Sequence, residues 1–297
     1  MTELKVGVIG IPGKWSTEAL ADALESRTGF RRVIDMAEVV ADLDRPALMC
    51  DGLELGGLDA VVVKKISRDY SPHTLDRLEL LRLLEQQGVR VFSPAGSMLR
   101  LIDRLACTVT LRNAGIPMPQ TRVTECPGQA LAAVREFGSA VFKPLYSTKA
   151  RGMRVLSLAE GERGLKKHIA RFHQDNPVMY IQRKLELPGR DLGLVYLGGE
   201  YLGAYARISR GDAWNTTIHS GGKYAPCEPG AVLIELGRRA QAPFALDFTT
   251  VDIAETEHGP VVFEVSAFGG FRGAREGAGI DAAAAYADYV LQGLAGQ

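Results

Sequence analysis

The chain has 297 residues, 46% of them hydrophobic and 24% charged, which suits a folded protein long enough for two or three compact units. Its 35 lysines and arginines balance 35 acids, giving zero formal charge and a pI near 7.0, so no bulk field draws it to nucleic acid or an anionic membrane. Four widely spaced cysteines exclude a disulfide scaffold and point to a reducing compartment, the cytoplasm; no uncharged apolar run is long enough for a bilayer, and MTELKVGVIG lacks a secretory leader pattern.

In chain order, the first third alternates strand and helix. Leu4–Ile9 reads as a buried strand, Thr17–Arg27 as an amphipathic helix and Leu58–Val63 as a second apolar strand. Pro72–Gln87 is a strongly periodic helix and Val89–Phe92 a third strand, a pattern that favours a parallel sheet with covering helices. Met98–Ala114 reads as one helix stopped by Gly115 and Pro117. Strands then follow at Thr121–Thr124, Ala140–Leu145, Met153–Leu158 and Val178–Gln182, interleaved with helices at Gly128–Phe137 and Glu160–Phe172. After Gly189 the pattern is mainly antiparallel. One hairpin turns at Gly198–Gly199, and a helix spans Gly230–Ala242. A second hairpin spans Thr249–Ser266, and an Ala-rich helix closes at Asp281–Leu294. The expected fold is an α/β N-terminal lobe followed by an α+β body in two lobes.

Gly7, Gly10 and Gly13 end the first strand before a helix, where a dinucleotide fold also places glycines. Their spacing is GxxGxxG with Pro12 inside, and no clear acid closes a second strand, so a tight strand-to-helix turn with a substrate-facing loop fits better.

Two further features carry chemistry. With its turn centred on His258, the last hairpin sets Asp252 opposite Glu264 and Thr250 opposite Ser266. Alternation puts Val262, Glu264 and Ser266 on one face, with Val261, Phe263 and Val265 on the other. Like charges across a ladder repel unless a divalent cation such as magnesium lies between them; the alternative is an exposed hairpin with solvated carboxylates. Earlier, Lys143 ends an apolar strand, a costly place without an anion. The loop that follows, Tyr146–Gly152, holds Ser147, Thr148, Lys149, Arg151 and Gly152. It could fold over phosphates or be a surface turn with solvated charges.

In this order the motifs resemble the ATP-grasp superfamily, and within it the RimK-like glutamate ligases, from about Leu99 to Asp281. The resemblance implies two lobes clamping ATP, with domains at 1–98, 99–183 and 184–297. The family's Asp-Lys corresponds to Asp103–Arg104, with Arg104 in place of the phosphate-contacting lysine. The strand lysine is Lys143, and the phosphate loop is Tyr146–Gly152, which keeps Thr148 and Gly152 but no other glycine. The adenine hinge falls on Gln182–Arg183–Lys184–Leu185, and Gly-x-Asp on Gly189–Arg190–Asp191. Arg207 matches the arginine that stabilises the transferring phosphoryl group. A later run matches Gly211–Asp212 and His219–Ser220–Gly221–Gly222, which sets the asparagine position on Thr217, with Asn215 two residues away. The metal ligands correspond to Asp252, Glu264 and Ser266, the last replacing an asparagine.

Arg272 stands where typical ligases carry an acid, and Arg275 lies on the same glycine-rich segment. Either could grip an acceptor carboxylate or phosphate, or be a solvated loop charge. The combination is most similar to the ATP-grasp member of the small GAK gene system. The resemblance implies ATP and Mg²⁺, with Mn²⁺ as a substitute, and small-molecule or peptide carboxylate and amine substrates. No nucleic acid or membrane partner is expected, and a homo-oligomer is open. A carboxylate would attack the γ-phosphoryl of ATP, and an amine would displace phosphate from the acyl-phosphate. The competing readings are an ATP-grasp kinase, which would leave phosphate on its acceptor, and a regulatory nucleotide-binding protein with a decayed site.

Overall fold

The computed structural model describes residues 4–209, 216, 218 and 221–296. In the first lobe, β1 (Val6–Ile9) leads through α1 (Trp15–Thr28) to β2 (Val33–Ile34). A small antiparallel meander follows, β3 (Val40–Asp42), β4 (Ala47–Cys50) and β5 (Leu53–Glu54). Then come β6 (Ala60–Val63), α2 (His73–Gln86) and β7 (Arg90–Phe92). The main sheet is parallel, in the order β2-β1-β6-β7. β1 and β6 read VGVI and AVVV because every residue of both is buried, as a sheet covered on both faces requires. The meander was not anticipated: its strands are two to four residues long, and β4, which reads ALMC, is apolar at every position, so no polar–apolar alternation marks them.

The single helix expected over Met98–Ala114 is two: α3 (Ala95–Ile102) and α4 (Arg104–Asn113). Asp103 breaks them apart. Its backbone is extended (φ −93°, ψ 122°), and its carboxylate accepts the Leu105 N–H at 2.9 Å as an N-cap.

The central lobe holds β8 (Thr121–Thr124), α5 (Pro127–Phe137), β9 (Ser139–Lys143), β10 (Arg154–Ser157), α6 (Gly161–Asp175) and β11 (Met179–Arg183). Its sheet is antiparallel, in the order β10-β9-β11-β8. α5 and α6 contribute Val134, Phe137, Ile169 and Phe172 to a core with Phe142, Leu156 and Ile181 that is separate from the rest of the buried interior.

The last part carries β12 (Arg190–Leu197), β13 (Glu200–Ile208), β14 (Lys223–Pro226), α7 (Ala231–Gln241), β15 (Phe248–Thr256) and β16 (Gly259–Ser266). Their antiparallel sheet runs β14-β13-β12-β15-β16. The β12–β13 turn uses Gly198 and Gly199 at φ 59° and 84°, the paired positive angles of a two-residue hairpin turn. α8 (Phe271–Ala278) and α9 (Ala282–Ala295) follow. Tyr286, Ala287 and Val290 of α9 pack with Leu20 and Leu24 of α1, so the chain's end closes on its first lobe. Among the described residues, no helix is long and apolar enough to cross a membrane.

Phe142 is fully buried and meets the Phe172 ring edge-on at 5.4 Å in the separate central core. Phe142→Ala is expected to cost about 3–5 kcal/mol. Chemical denaturation should register the loss as a lower midpoint.

Candidate active site

The antiparallel ladder sets the acidic geometry. Asp252 is the cross-strand partner of Glu264, and Thr250 of Ser266, as expected. The hairpin reaches that register by a different route. Its turn encloses Glu257 and His258 between the paired Thr256 and Gly259, and a β-bulge between Asp252 and Ile253 restores the register. Because Ile253 pairs with Val262, Phe263 is the extra residue. The simple alternation is thereby corrected: Val262 and Val265 are buried in the core, while Phe263, Glu264 and Ser266 line a cleft.

Two arginines from other elements neutralise the carboxylates. Arg207 on β13 is the ladder partner of Asp191 on β12 and grips it through Nε at 3.0 Å and Nη2 at 2.6 Å. The same guanidinium reaches Asp252 at 2.8 Å. Between them lies Gly193, opposite both Asp252 and Tyr205; a Cβ there would stand 2.4 Å from the Tyr205 ring. Thr216 also donates to Asp191, at 2.7 Å. The two carboxylates hold the buried Arg207 guanidinium charged, against the penalty of burial. Burial pushes the Asp252 carboxyl up to about 7, with Arg207 opposing the shift and the Glu264 and Asp191 charges adding to it.

Arg104, at the start of α4, joins three parts of the cleft. Its side chain donates to Glu264 at 3.1 Å, to Ser147 at 3.3 Å and to the Pro144 carbonyl at 3.2 Å. Lys143 ends β9, 9% exposed, and donates to Gln182 Oε1 at 2.5 Å. Gln182 is fixed in turn by Thr121 and Tyr180, each at 3.2 Å. Burial brings the Lys143 ammonium down to about 7; Arg104 adds to the fall and Glu264 offsets it.

The cleft has a volume of about 880 Å³. The lining includes Arg104, Lys143, Ser147, Thr148, Asp191, Arg207, the Gln182–Leu185 segment, the two carboxylates, Ser266 and Arg272. Within the hinge, the Arg183 and Lys184 amides are engaged by the Gln120 and Ser139 carbonyls, at 2.8 and 3.0 Å. Gly152 and Arg275 are not part of the lining: Gly152 turns the chain under Pro144 at φ 70°, and Arg275 stacks 5.4 Å from the Trp15 ring. Arg272 pairs with Glu276 at 3.4 Å. Gly211, Asp212, Asn215, Thr217, His219 and Ser220 lie outside the described residues.

Among the described residues, no three His, Cys, Asp or Glu side chains converge as a metal cage. Two carboxylates and the Ser266 hydroxyl fit magnesium all the same, because that ion takes few protein oxygens and fills its octahedron with water and substrate phosphates.

Sequence reasoning missed Phe263, exposed to the cleft by the bulge, and Thr250, whose buried hydroxyl beside Gly270 has no hydrogen-bond partner among the described residues. The sequence reading expects acceptor groups around Gly10–Trp15 and Lys64–Ser67 without assigning them a chemistry, although Lys64 and Lys65 end the apolar run Ala60–Val63 as Lys143 ends its own strand. Lys64 donates to the Phe268 carbonyl at 2.6 Å and lies 4.2 Å over the Phe271 ring, and burial lowers its ammonium to about 7.

A profile of the RimK-like ATP-grasp domain matches residues 102–290. The tetrahydromethanopterin:alpha-L-glutamate ligase of Methanosarcina acetivorans is 25% identical over 266 residues, covering 84% of this chain and 82% of that protein. A probable alpha-L-glutamate ligase of Nitrosococcus oceani is 26% identical, covering 97% and 95%. Among solved structures, the ATP-grasp ligase PsnB, complexed with a phosphomimetic precursor variant, Mg and ADP, has a TM-score of 0.77 at 17% identity, covering 98% of this chain and 99% of its own. The D-alanyl-alanine synthetase A of Vibrio cholerae superposes with a TM-score of 0.75 at 13% identity, covering 100% and 98%.

The Asp252 environment has a measurable consequence. Its folded pKa lies above the ordinary carboxyl value, so the folded state holds this proton more tightly and stability is lost as pH rises from about 4 through about 7. Asp252→Asn removes that titration while leaving Arg207 bound to Asp191. Melting curves should show the variant gaining on the wild type up to pH 7 and keeping a constant advantage above it.

Proposed function

The chain belongs to the RimK-like ATP-grasp family of ATP-dependent carboxylate–amine ligases, and on that premise we propose that it forms an amide bond through an acyl-phosphate, releasing ADP and phosphate. One observation carries this reading: Asp252 and Glu264, in register on one hairpin, share a cleft wall with Arg207 and Arg104, and the strand-end Lys143 lines the same cleft. That is a constellation for neutralising a polyphosphate with its metal, and phosphoryl transfer asks a protein mainly to position and neutralise charge.

In this reading Lys143 and Arg104 hold the α- and β-phosphates, and Ser147 and Thr148 cover the β/γ end. The adenine lies along Gln182–Leu185, where the Leu185 amide is the first of the segment beyond those engaged by Gln120 and Ser139. Asp252, Glu264 and Ser266 hold Mg²⁺, which when bound screens the phosphate charge. Arg207 stabilises the transferring group. Asp191 is the residue that orients Arg207, which its two hydrogen bonds to the guanidinium support. Residues 99–183 and 184–297 act as the two lobes that clamp the nucleotide, which the separate core around Phe142 in the first of them supports, with 1–98 as the N-terminal unit. The named relatives are glutamate ligases, which makes glutamate the first amine to test.

Glu264→Ala removes one carboxylate from a half-exposed position and should fold as the wild type does. Its ADP release should fall by roughly 10²–10³, the usual loss for one such charge contact; wild-type turnover would refute the assignment. Product analysis decides the reaction type. Inorganic phosphate should appear in equal amount with amide, and phosphate retained on the acceptor would instead establish a kinase.

A further inference from the structure

The first lobe presents a second charged wall to the cleft. In its parallel sheet the chain passes from β1 outward to β2, then returns to β6 on the other side of β1 before moving out to β7. The strand order therefore reverses between β1 and β6, and open α/β sheets bind ligands in the crevice beyond the carboxyl ends of such a pair. Both ends open here. Ile11, Lys14 and Trp15 follow β1, Lys64, Lys65 and Arg68 follow β6, and all six line the cleft. The Lys64 and Lys65 amides both donate to the Ile9 carbonyl, at 2.8 and 3.1 Å, which stitches the two loops together. α1 starts at Trp15, so its positive end adjoins the same place.

The charges there are not balanced. The described lining of the cleft carries twelve lysine and arginine side chains against four carboxylates. Asp191 and Asp252 are taken by Arg207, Glu264 by Arg104 and Asp69 by Arg151. Among the described residues, Lys14, Lys65 and Arg68 have no carboxylate at ion-pair distance. Lys65 lies 4.8 Å over the Tyr70 ring and 6.0 Å from the Phe268 ring. Burial brings its ammonium down to about 8, and Lys149 and Arg151 add to the fall while Asp69 opposes it. A half-buried cation crowded by like charges is relieved by an anion from outside.

We propose that Lys65 and Arg68, beside the N-terminus of α1, form a subsite for a second anionic group on the acceptor, a carboxylate or phosphate distinct from the carboxyl that is activated. This deepens the ligase reading and rests on it. The enzyme then selects acceptors with an acid group to spare, and the first lobe reads that group.

The test uses the full chain and three acetylated dipeptides ending in alanine, whose preceding residue is glutamate, phosphoserine or glutamine, so that only the glutamine peptide lacks a second acid. Calorimetric titration, with and without a non-hydrolysable ATP analogue and Mg²⁺, should give at least one acidic peptide about tenfold tighter than the glutamine peptide. Whichever acidic peptide binds tighter identifies carboxylate or phosphate as the group read. Lys65→Met should reduce the preference to less than about threefold with the ATP analogue still bound as by wild type. Arg68→Gln, at an exposed position where folding is not at stake, should weaken the preference in the same direction. Equal or absent binding of all three peptides would overturn the proposal, as would a loss that falls on the ATP analogue instead. Acid preference without amide formation would remove the ligase reading and leave the subsite standing.

Discussion

Two carboxylates face each other across neighbouring strands, and the remainder of the cleft is arranged around that repulsion. A ladder does not favour like charges at opposed positions. Here Asp252 and Glu264 are each matched by an arginine from a different part of the chain, Arg207 from β13 of the same sheet and Arg104 from the start of α4. The two arginines are not equivalent. Arg207 is shared with a second acid, Asp191, whereas Arg104 also reaches the loop through Ser147. One acid is held with a strand neighbour, and the other is tied to the loop after β9.

Buried cations recur at strand ends. Lys64, Lys65 and Lys143 each follow an apolar run, and burial lowers the ammonium of each. Their local partners differ, and so do the consequences. Lys64 is held by two main-chain carbonyls after β16, which ties the first lobe to the acidic hairpin. Among the described residues, Lys143 meets the Gln182 amide oxygen and the Phe263 ring, and Lys65 the Tyr70 and Phe268 rings. Neutral partners leave a cation able to exchange them for a stronger anionic one.

The loop after Lys143 departs from a glycine-rich design in a specific way. Lys149 and Ala150 both take left-handed backbone angles, φ 59° and 58°, that a glycine would adopt without strain. Arg151 binds Asp69 of the first lobe, and such a contact can offset local strain by fixing the loop from outside. In place of backbone freedom, the loop carries side-chain charge and a tether.

The sequence by itself established the alternation of the first lobe, the strand-end lysine and the acidic hairpin, because these depend on periodicity and on the cost of burying charge. It also identified Asp103–Arg104 as a pair, but not as a break between helices, since an N-cap shows only once the backbone direction changes. Tertiary structure alone decided that Phe263 and Glu264 turn the same way, because one bulge residue reverses an alternation that spacing cannot detect. It alone decided that Arg207 bridges Asp191 and Asp252, since three strands must first lie side by side with Gly193 between them. It alone gave Lys64 and Lys65 their meaning. A lysine after an apolar strand is the same local signal everywhere, and only the elements packed around it determine whether it meets a carbonyl, a ring or a ligand.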